Sequence, residues 1–274
     1  YLRGGRFMML PLPAAKLSTG SPVTLRKLPA GEAAMMPVVI RSQRGVNDAQ
    51  AAELLAEARA IAAKYPDDPG VLAALAEAEY DAGNDAEAIA AADKAITADP
   101  SRTNAYVQKG YALFRQAADA DDRKTAFAAA MKPFEALNAL ENDHPLPLIY
   151  YYRSQVESGI KPNENARAAL ERASVLAPFD QGLQVNAGIM LIGEGKHAIA
   201  REFLAPVAAS PHGGGAAKRA QLLMTLIAKA EEGRGISIAE AVNKAGAGEG
   251  DGQDAADGGS GEGSDSPAAP PPPQ

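Results

Sequence analysis

The stretch EYDAGNDAEAIAAADKAITADP, residues 79–100, decides how the rest of the chain is read. It is rich in alanine, holds no histidine, cysteine or serine, and stops at a proline. Alanine is the best helix former and allows neighbouring helices to approach closely. Gly83 reads as the end of one helix, and Asn84 with Glu87 reads as a capping box that opens the next. Just upstream, Asp68 followed by Pro69 reads as an N-cap with proline at the first helical position. The spacing predicts a helix pair made for packing, with no chemistry of its own.

The proline that ends this stretch has counterparts. Unit-ending prolines fall at Pro66, Pro100, Pro145, Pro178 and Pro211, with spacings of 34, 45, 33 and 33. A near-constant period in this range is the signature of a solenoid of stacked helix pairs. With Pro69 as the first position of a unit, Leu72, Leu75, Ala76, Gly83, Ala88, Ala95 and Pro100 fall at positions 4, 7, 8, 15, 20, 27 and 32. Other units keep the pattern, with Tyr106 and Gly110, then Tyr150, Ala166, Leu170, Ala173 and Pro178, then Gly188, Gly195, Ala200 and Leu204. Ala88 and Gly110 are therefore expected at close helix–helix contacts. The long unit carries eleven extra residues between Phe114 and Pro145. A lengthened helix pair is expected there, with Asp121 or Asp122 capping its second helix and Pro133 kinking or breaking it.

This pattern resembles the tetratricopeptide repeat (TPR), a helix pair of about 34 residues with small residues at positions 8 and 20 and proline at 32. The resemblance covers residues 47–233. It implies an all-α fold, a TPR-type right-handed α-solenoid, spanning residues 47–245. Residues 47–66 read as a lone second helix of a preceding unit, and residues 215–233 as a capping helix. A second resemblance, of texture only, links YLRGGRFMMLPLP, the helical repeats and LAPVAASPHGG (residues 204–214) to the C-terminal half of bacterial peptidase-MA-like (zincin) proteins. It implies an exported, periplasmic location and a catalytic domain upstream of Tyr1. The chain begins at Tyr1, and we read it as a mature or excised piece.

The flanks read differently. Residues 1–46 contain RFMML, PVTLRKL and MMPVVI, short β-prone runs separated by proline and glycine, and are expected to be extended or to form a small β element. Residues 246–274 are rich in glycine, aspartate and proline and are expected to be a disordered tail. SIAE, residues 237–240, reads as one last capping box.

Net charge is −7 but unevenly spread: residues 1–46 carry seven Lys/Arg against one acid, Glu32, and six acids with no base follow Lys244. A basic start on an acidic body is no nucleic-acid footprint, which needs a basic face on the folded part. No apolar run reaches the ~18 residues of a membrane span. The absence of cysteine excludes disulfides, thiolate nucleophiles and Cys-ligated zinc.

No catalytic or cofactor constellation stands out, and no metal site is expected. His144, His197 and His212 share no metal-binding spacing and read as turn or cap residues. HGGGAAKRA lacks the Gly-Lys-Ser/Thr sequence of a phosphate loop, DGGSGEGSD lacks the aspartate and aliphatic positions of a calcium roll, and DADD at residues 119–122 reads as helix-capping acids. The tyrosines say more, since six of eight lie between Tyr80 and Tyr152, all in first helices of units. Tyr106 and Tyr150, at position 4, are expected in the core. In TPR proteins, positions 2, 5, 9, 12 and 13 of first helices line a concave groove. The resemblance places there Glu77, Tyr80 and Asp81, then Asn104, Val107, Tyr111, Phe114 and Arg115, then Leu148, Tyr151 and Gln155, then Val185, Ile189 and Ile192. Tyr80, Val107, Tyr111, Phe114, Arg115, Tyr151, Gln155 and Ile189 are the candidate groove residues, with Tyr111, Phe114 and Tyr151 as an aromatic grip.

The expected function is a non-enzymatic scaffold that binds a protein or peptide through this groove. The partner could be an upstream domain of the same protein. The alternatives are that the aromatics pack on the inserted helix or on residues 1–46, and that the array is the accessory half of a zinc-peptidase-like protein, orienting its substrate. One outcome tests the tail: deleting residues 246–274 leaves the melting temperature within a few degrees, measured by circular dichroism.

Overall fold

Helices begin and end where the sequence punctuates them. The computed structural model describes residues 25, 27–228, 230 and 232–237. Among them are eleven helices and no strand. These are α1 (Ala30–Ser42), α2 (Asp48–Lys64), α3 (Pro69–Asp81), α4 (Asp85–Ala98), α5 (Thr103–Ala118), α6 (Arg123–Leu140), α7 (Pro145–Glu157), α8 (Glu164–Leu176), α9 (Gln181–Gly193), α10 (His197–Ala208) and α11 (Gly214–Ile227). Each helix packs on the next in sequence, and α3 also packs on both α1 and α5, as α9 does on α11. This is a solenoid of five helix pairs closed by a capping helix.

Three of the turns inside the pairs share one device. At the end of α3, Gly83 takes φ +84°, its N–H donates to the Tyr80 carbonyl, and the Asn84 N–H donates to the Glu79 carbonyl. This double bond pattern satisfies orphan carbonyls of the helix end and needs a left-handed residue, hence glycine. Gly159 and Gly195 close α7 and α9 in the same way. Asp68 caps α3 with Pro69 at its first position, accepting from Gly70 and Val71 N–H. Asp122 caps α6, accepting from Thr125 N–H at 3.1 Å.

Close packing falls at the small positions. Ala76, Ala88, Ala95, Ala166, Ala173 and Ala200 are fully buried. At Gly110 an added Cβ would lie 2.5 Å from the Phe134 ring, and at Gly188 2.7 Å from the Leu204 side chain. Helix α5 thus receives a bulky residue from α6 at the point where its own side chain is absent.

Four expectations change. First, residues 35–40, read as β-prone, are helical: Met35 and Val38 lie 1% and 2% exposed against Leu54, Leu55, Ala58 and Val71. Burial at Glu32, Met35 and Val38 follows helical spacing, and that packing outweighs the proline and β-branched residues. Pro37 itself faces outward, and its carbonyl accepts from Arg41 Nε at 3.1 Å. Second, α2 is not a lone second helix, because α1 is its partner. Third, Asn84 makes no side-chain cap; its Nδ2 donates instead to Glu79, which also takes two bonds from Arg59. Fourth, of the kink or break expected at Pro133 the break does not occur: α6 continues through it as one helix, with Pro133, Phe134 and Leu137 buried. Residues 238–274 lie outside the described residues, so the expected last capping box and tail do too.

Two glycine substitutions separate packing from backbone effects. Gly110→Ala meets Phe134 and should lose ~1–3 kcal/mol by overpacking. Gly83→Ala meets nothing within 4 Å yet should lose ~1–2 kcal/mol, because its positive φ disfavours any Cβ. Urea denaturation measures both, and α6 side chains that yield without loss would appear as an unchanged Gly110→Ala.

Candidate binding groove

First helices α3, α5 and α7 carry a connected chain of aromatic rings. Tyr80 on α3 lies 5.5 Å from Tyr111 on α5, which lies 5.3 Å from Tyr150 on α7. Behind this row Phe114 packs on Phe127, Phe134 and Tyr150 at 5.2, 5.7 and 4.6 Å. Phe134 and Tyr150 stack at 4.3 Å. The row is therefore the outer layer of a core that α6 completes.

Two arginines sit on the rings. The Arg115 guanidinium lies 4.1 Å from the Tyr80 ring centre, donates to the Tyr80 carbonyl and forks onto the Asp85 carboxylate. Arg153 lies 4.6 Å from the Tyr150 ring centre and donates to Glu157 at 2.7 Å. Cation–ring contacts of this kind fix a side chain without taking its charge fully out of water. Burial raises the Tyr111 phenol well above its ordinary range and pushes Tyr150 up to about 12, so both stay neutral across the physiological range.

Next to the rings, α3 presents two carboxylates. Glu77 accepts from Asn104 Nδ2 at 2.9 Å and from Ser42 Oγ at 3.2 Å. Asp81 accepts from the same Ser42 hydroxyl at 2.8 Å. Burial is the main cause that raises the pKa of both carboxylates. Toward the start of α3 the surface opens into a cleft of about 360 Å³ between α1, α3 and the start of α5, edged by Leu28, Met36, Val39, Ala74 and Asn104. At its edge the buried Glu32 pairs with Arg102, which also binds Asp99 at 2.9 Å.

The candidate residues do not all share one surface. Tyr80, Tyr111 and Arg115 come together. Phe114 and Val107 are 3% and 8% exposed and belong to the interior, so neither can grip a ligand. The cause is the lengthened α6, whose Phe127 and Phe134 fill the space beneath them. Tyr150 rather than Tyr151 meets Tyr111; Tyr151 is half-buried at the margin of that cluster. Gln155 is engaged in the α7–α8 turn, accepting from Asn163 N–H at 2.8 Å. Ile189 packs against the α9–α11 core. Sequence reasoning missed Ser42, Glu32 and the whole of α1, whose 3-3-4 spacing of Glu32, Met35, Val38 and Ser42 is a short helical period interrupted by Pro37 and β-branched residues.

The histidines stand apart from this surface. His144 caps α7, its Nδ1 accepting from Leu146 N–H at 3.3 Å, and His197 is buried at the start of α10. Among the described residues no group of three or more His, Asp and Glu is placed to hold a metal ion, and no helix is long and apolar enough to cross a membrane.

Comparison with solved structures now gives the class: the chain has the tetratricopeptide-repeat fold. The thermophilic TPR protein TTC0263 of Thermus thermophilus matches 72% of this chain and all of its own, at 16% identity and a TM-score of 0.57. MamA 41-end from Desulfovibrio magneticus RS-1 matches 66% of this chain and 94% of its own, at 19% identity and a TM-score of 0.47. A further MamA crystal structure matches 73% and 96%, at 17% identity and a TM-score of 0.46. No family model and no curated protein sequence matches the chain.

The carboxylates make the fold pH-sensitive in a stated direction. Folding raises the Glu77 and Asp81 pKa values, so the folded state holds their protons more tightly than the unfolded one. Their contribution is favourable in acid and is lost as pH rises through the raised values. Glu77→Gln, whose amide oxygen can accept from Asn104 while its NH2 donates to the Ser42 hydroxyl, should match or exceed the native stability at pH 7. Urea titration should show that advantage shrinking as pH falls into the carboxylate range. An advantage that grows in acid would reverse the assignment.

Proposed function

We propose that the chain is a non-enzymatic TPR scaffold that binds a protein or peptide segment on its inner face. One observation carries this reading. The first helices α1, α3 and α5 meet around an open cleft lined by both apolar and polar side chains, and the C-terminal halves of α3 and α5 carry the tyrosine row. Large, amphipathic tyrosines with few rotatable bonds favour recognition at low entropic cost. The acids beside them would read the charge of the bound segment, and the apolar cleft would take its side chains. Tyr80, Tyr111 and Arg115 form the centre of the surface, with Tyr151 at its margin. Phe114 and Val107 support it from below.

The test separates anchor from support. The purified chain is panned against a random peptide library, and the enriched peptides are measured by calorimetry. Tyr80→Ala and Tyr151→Ala should each weaken binding by ~2 kcal/mol, about 30-fold, with little change in unfolding free energy. Phe114→Ala should instead lose ~3–5 kcal/mol of stability. Peptides that bind the tyrosine variants as well as the native chain would remove the groove from the reading.

A further inference from the structure

At its last residue α1 meets α3 through one hydroxyl. Ser42 Oγ lies 2.8 Å from Asp81 Oδ2 and 3.2 Å from Glu77 Oε1. A hydroxyl carries one hydrogen and two lone pairs, and an ionised carboxylate only accepts. With both acids ionised, the Ser42 hydrogen can serve one of them. The shorter contact goes to Asp81, and Glu77 Oε1 is then left facing an oxygen lone pair. Its other oxygen, Oε2, already accepts from Asn104 Nδ2 at 2.9 Å. One added proton completes the set. Protonated at Oε1, Glu77 donates to Ser42 Oγ, and Ser42 donates to Asp81.

The surroundings of the pair place that proton on Glu77. Burial is the largest cause that raises both acids. The Asn104 hydrogen bond lowers Glu77, but the Asp81 charge raises it again, whereas Arg115 on α5 lowers Asp81 and favours its ionised form. The Ser42 hydroxyl lowers an acid to which it donates, and its one hydrogen reaches one acid at a time. Among the charges on the helices packed against α3, Arg41 of α1 pairs with Glu57 of α2 and Arg59 of α2 with Glu79. Asp85 of α4 pairs with Arg115, and Arg102 of α5 with Glu32 and Asp99. Beside the two acids a cavity of about 10 Å³, walled by Val38, Leu54 and Ala78, is at the lower limit for one water. On that side solvent does little to replace the missing hydrogen bond.

We propose that Glu77, Ser42 and Asp81 form a one-proton latch that fastens α1 to α3, and that loss of the proton from Glu77 loosens α1. Helix α1 is placed for such a device. It is the first described helix of the array and is held by α2 and α3. The end of a repeat array can open while the rest stays folded. Through Met35, Met36 and Val39 it also supplies one wall of the cleft, so the same proton sets the shape of the cleft. Glu77 holds its proton more tightly with α1 attached than with α1 detached. The hold on α1 is therefore full below the detached-state pKa and is lost as pH rises through the raised, attached-state value. The latch stands on the α1–α3 contact alone and is independent of what the inner face binds.

Amide hydrogen exchange in the full chain reads the latch directly. Protection of residues 34–42, leaving out Pro37, is measured across a pH series, corrected for the intrinsic exchange rate and divided by the protection of α6. In the native chain this ratio should be highest in acid, fall as pH rises through the Glu77 titration and then level off. The fall, in powers of ten, should equal the difference in Glu77 pKa between attached and detached α1. Glu77→Gln should hold the ratio near its acid value at every pH, because the new amide donates to Ser42 whatever the pH. Asp81→Asn should do the same with the bonds reversed, the new amide donating to Ser42 and Ser42 to Glu77. Carboxyl carbon shifts should show the proton leaving Glu77 over the same range. A native ratio that is flat, or that rises with pH, would overturn the latch. So would a dependence that survives each single amide and disappears only with both, since the two acids would then act separately. Loss of the proton from Asp81 instead would overturn its assignment to Glu77.

Discussion

The array depends on close approach between helices that carry almost no side chain at the contact. Ala76, Ala88, Ala95, Ala166, Ala173 and Ala200 are fully buried, and Gly110 and Gly188 leave room that Phe134 and Leu204 fill. Interiors pack at nearly crystalline density, so a bare position on one helix obliges a bulky one on its neighbour. The third pair shows the rule most plainly. Its second helix is longer, brings Phe127 and Phe134 into contact with α5, and turns what would be a groove residue, Phe114, into core. The tyrosine row on the inner face rests on that packed layer, so its geometry is set by α6 from behind.

How far the sequence shows this differs from one feature to the next. Proline spacing, the glycines at the turns and the N-caps at Asp68 and Asp122 act through a few neighbouring residues, and such signals survive in any tertiary setting. Asn84 failed as a cap because Arg59, on another helix, holds Glu79 within reach of its amide. Helix α1 was hidden because proline and β-branched residues outweigh a short helical period in any local reading. Only the walls supplied by α2 and α3 show that Met35 and Val38 belong on one face. In the site, Tyr80, Tyr111 and Arg115 were legible from repeat positions alone. Exchanging Tyr151 for Tyr150 beside Tyr111 required knowing how the long α6 sets α7.

The inner face departs from what stability alone would favour. Burial pushes the Glu77 and Asp81 carboxylates toward protonation, and their hydrogen bonds come from neutral groups. A solenoid can hold such residues because its inner helices face an open surface as well as a core, and each repeat is stabilised mainly by its neighbours. The Glu32–Arg102–Asp99 clasp offsets some of this by joining α1 to the start of α5 across seventy residues of sequence.

The two ends of the array solve the end problem differently. At the C-terminal end α11 buries Ala217, Ala220, Leu223 and Ile227 against the last pair, as a further first helix would. Beyond it the Gly233 N–H donates to the Gly195 carbonyl and the Ile236 N–H to the Ile192 carbonyl. An added Cβ at Gly195 would collide with the backbone at Gly233, so glycine serves both the turn and this close contact. The Glu232 carboxylate accepts from the Ala198 N–H, one of the free donors at the start of α10, where the helix dipole favours negative charge. That end is apolar, covered and closed by backbone bonds. At the other end α1 leaves Met36 and Ile40 partly exposed, with Met36 on the edge of the open cleft. The covered last pair and the open cleft thus lie at opposite ends of the described array.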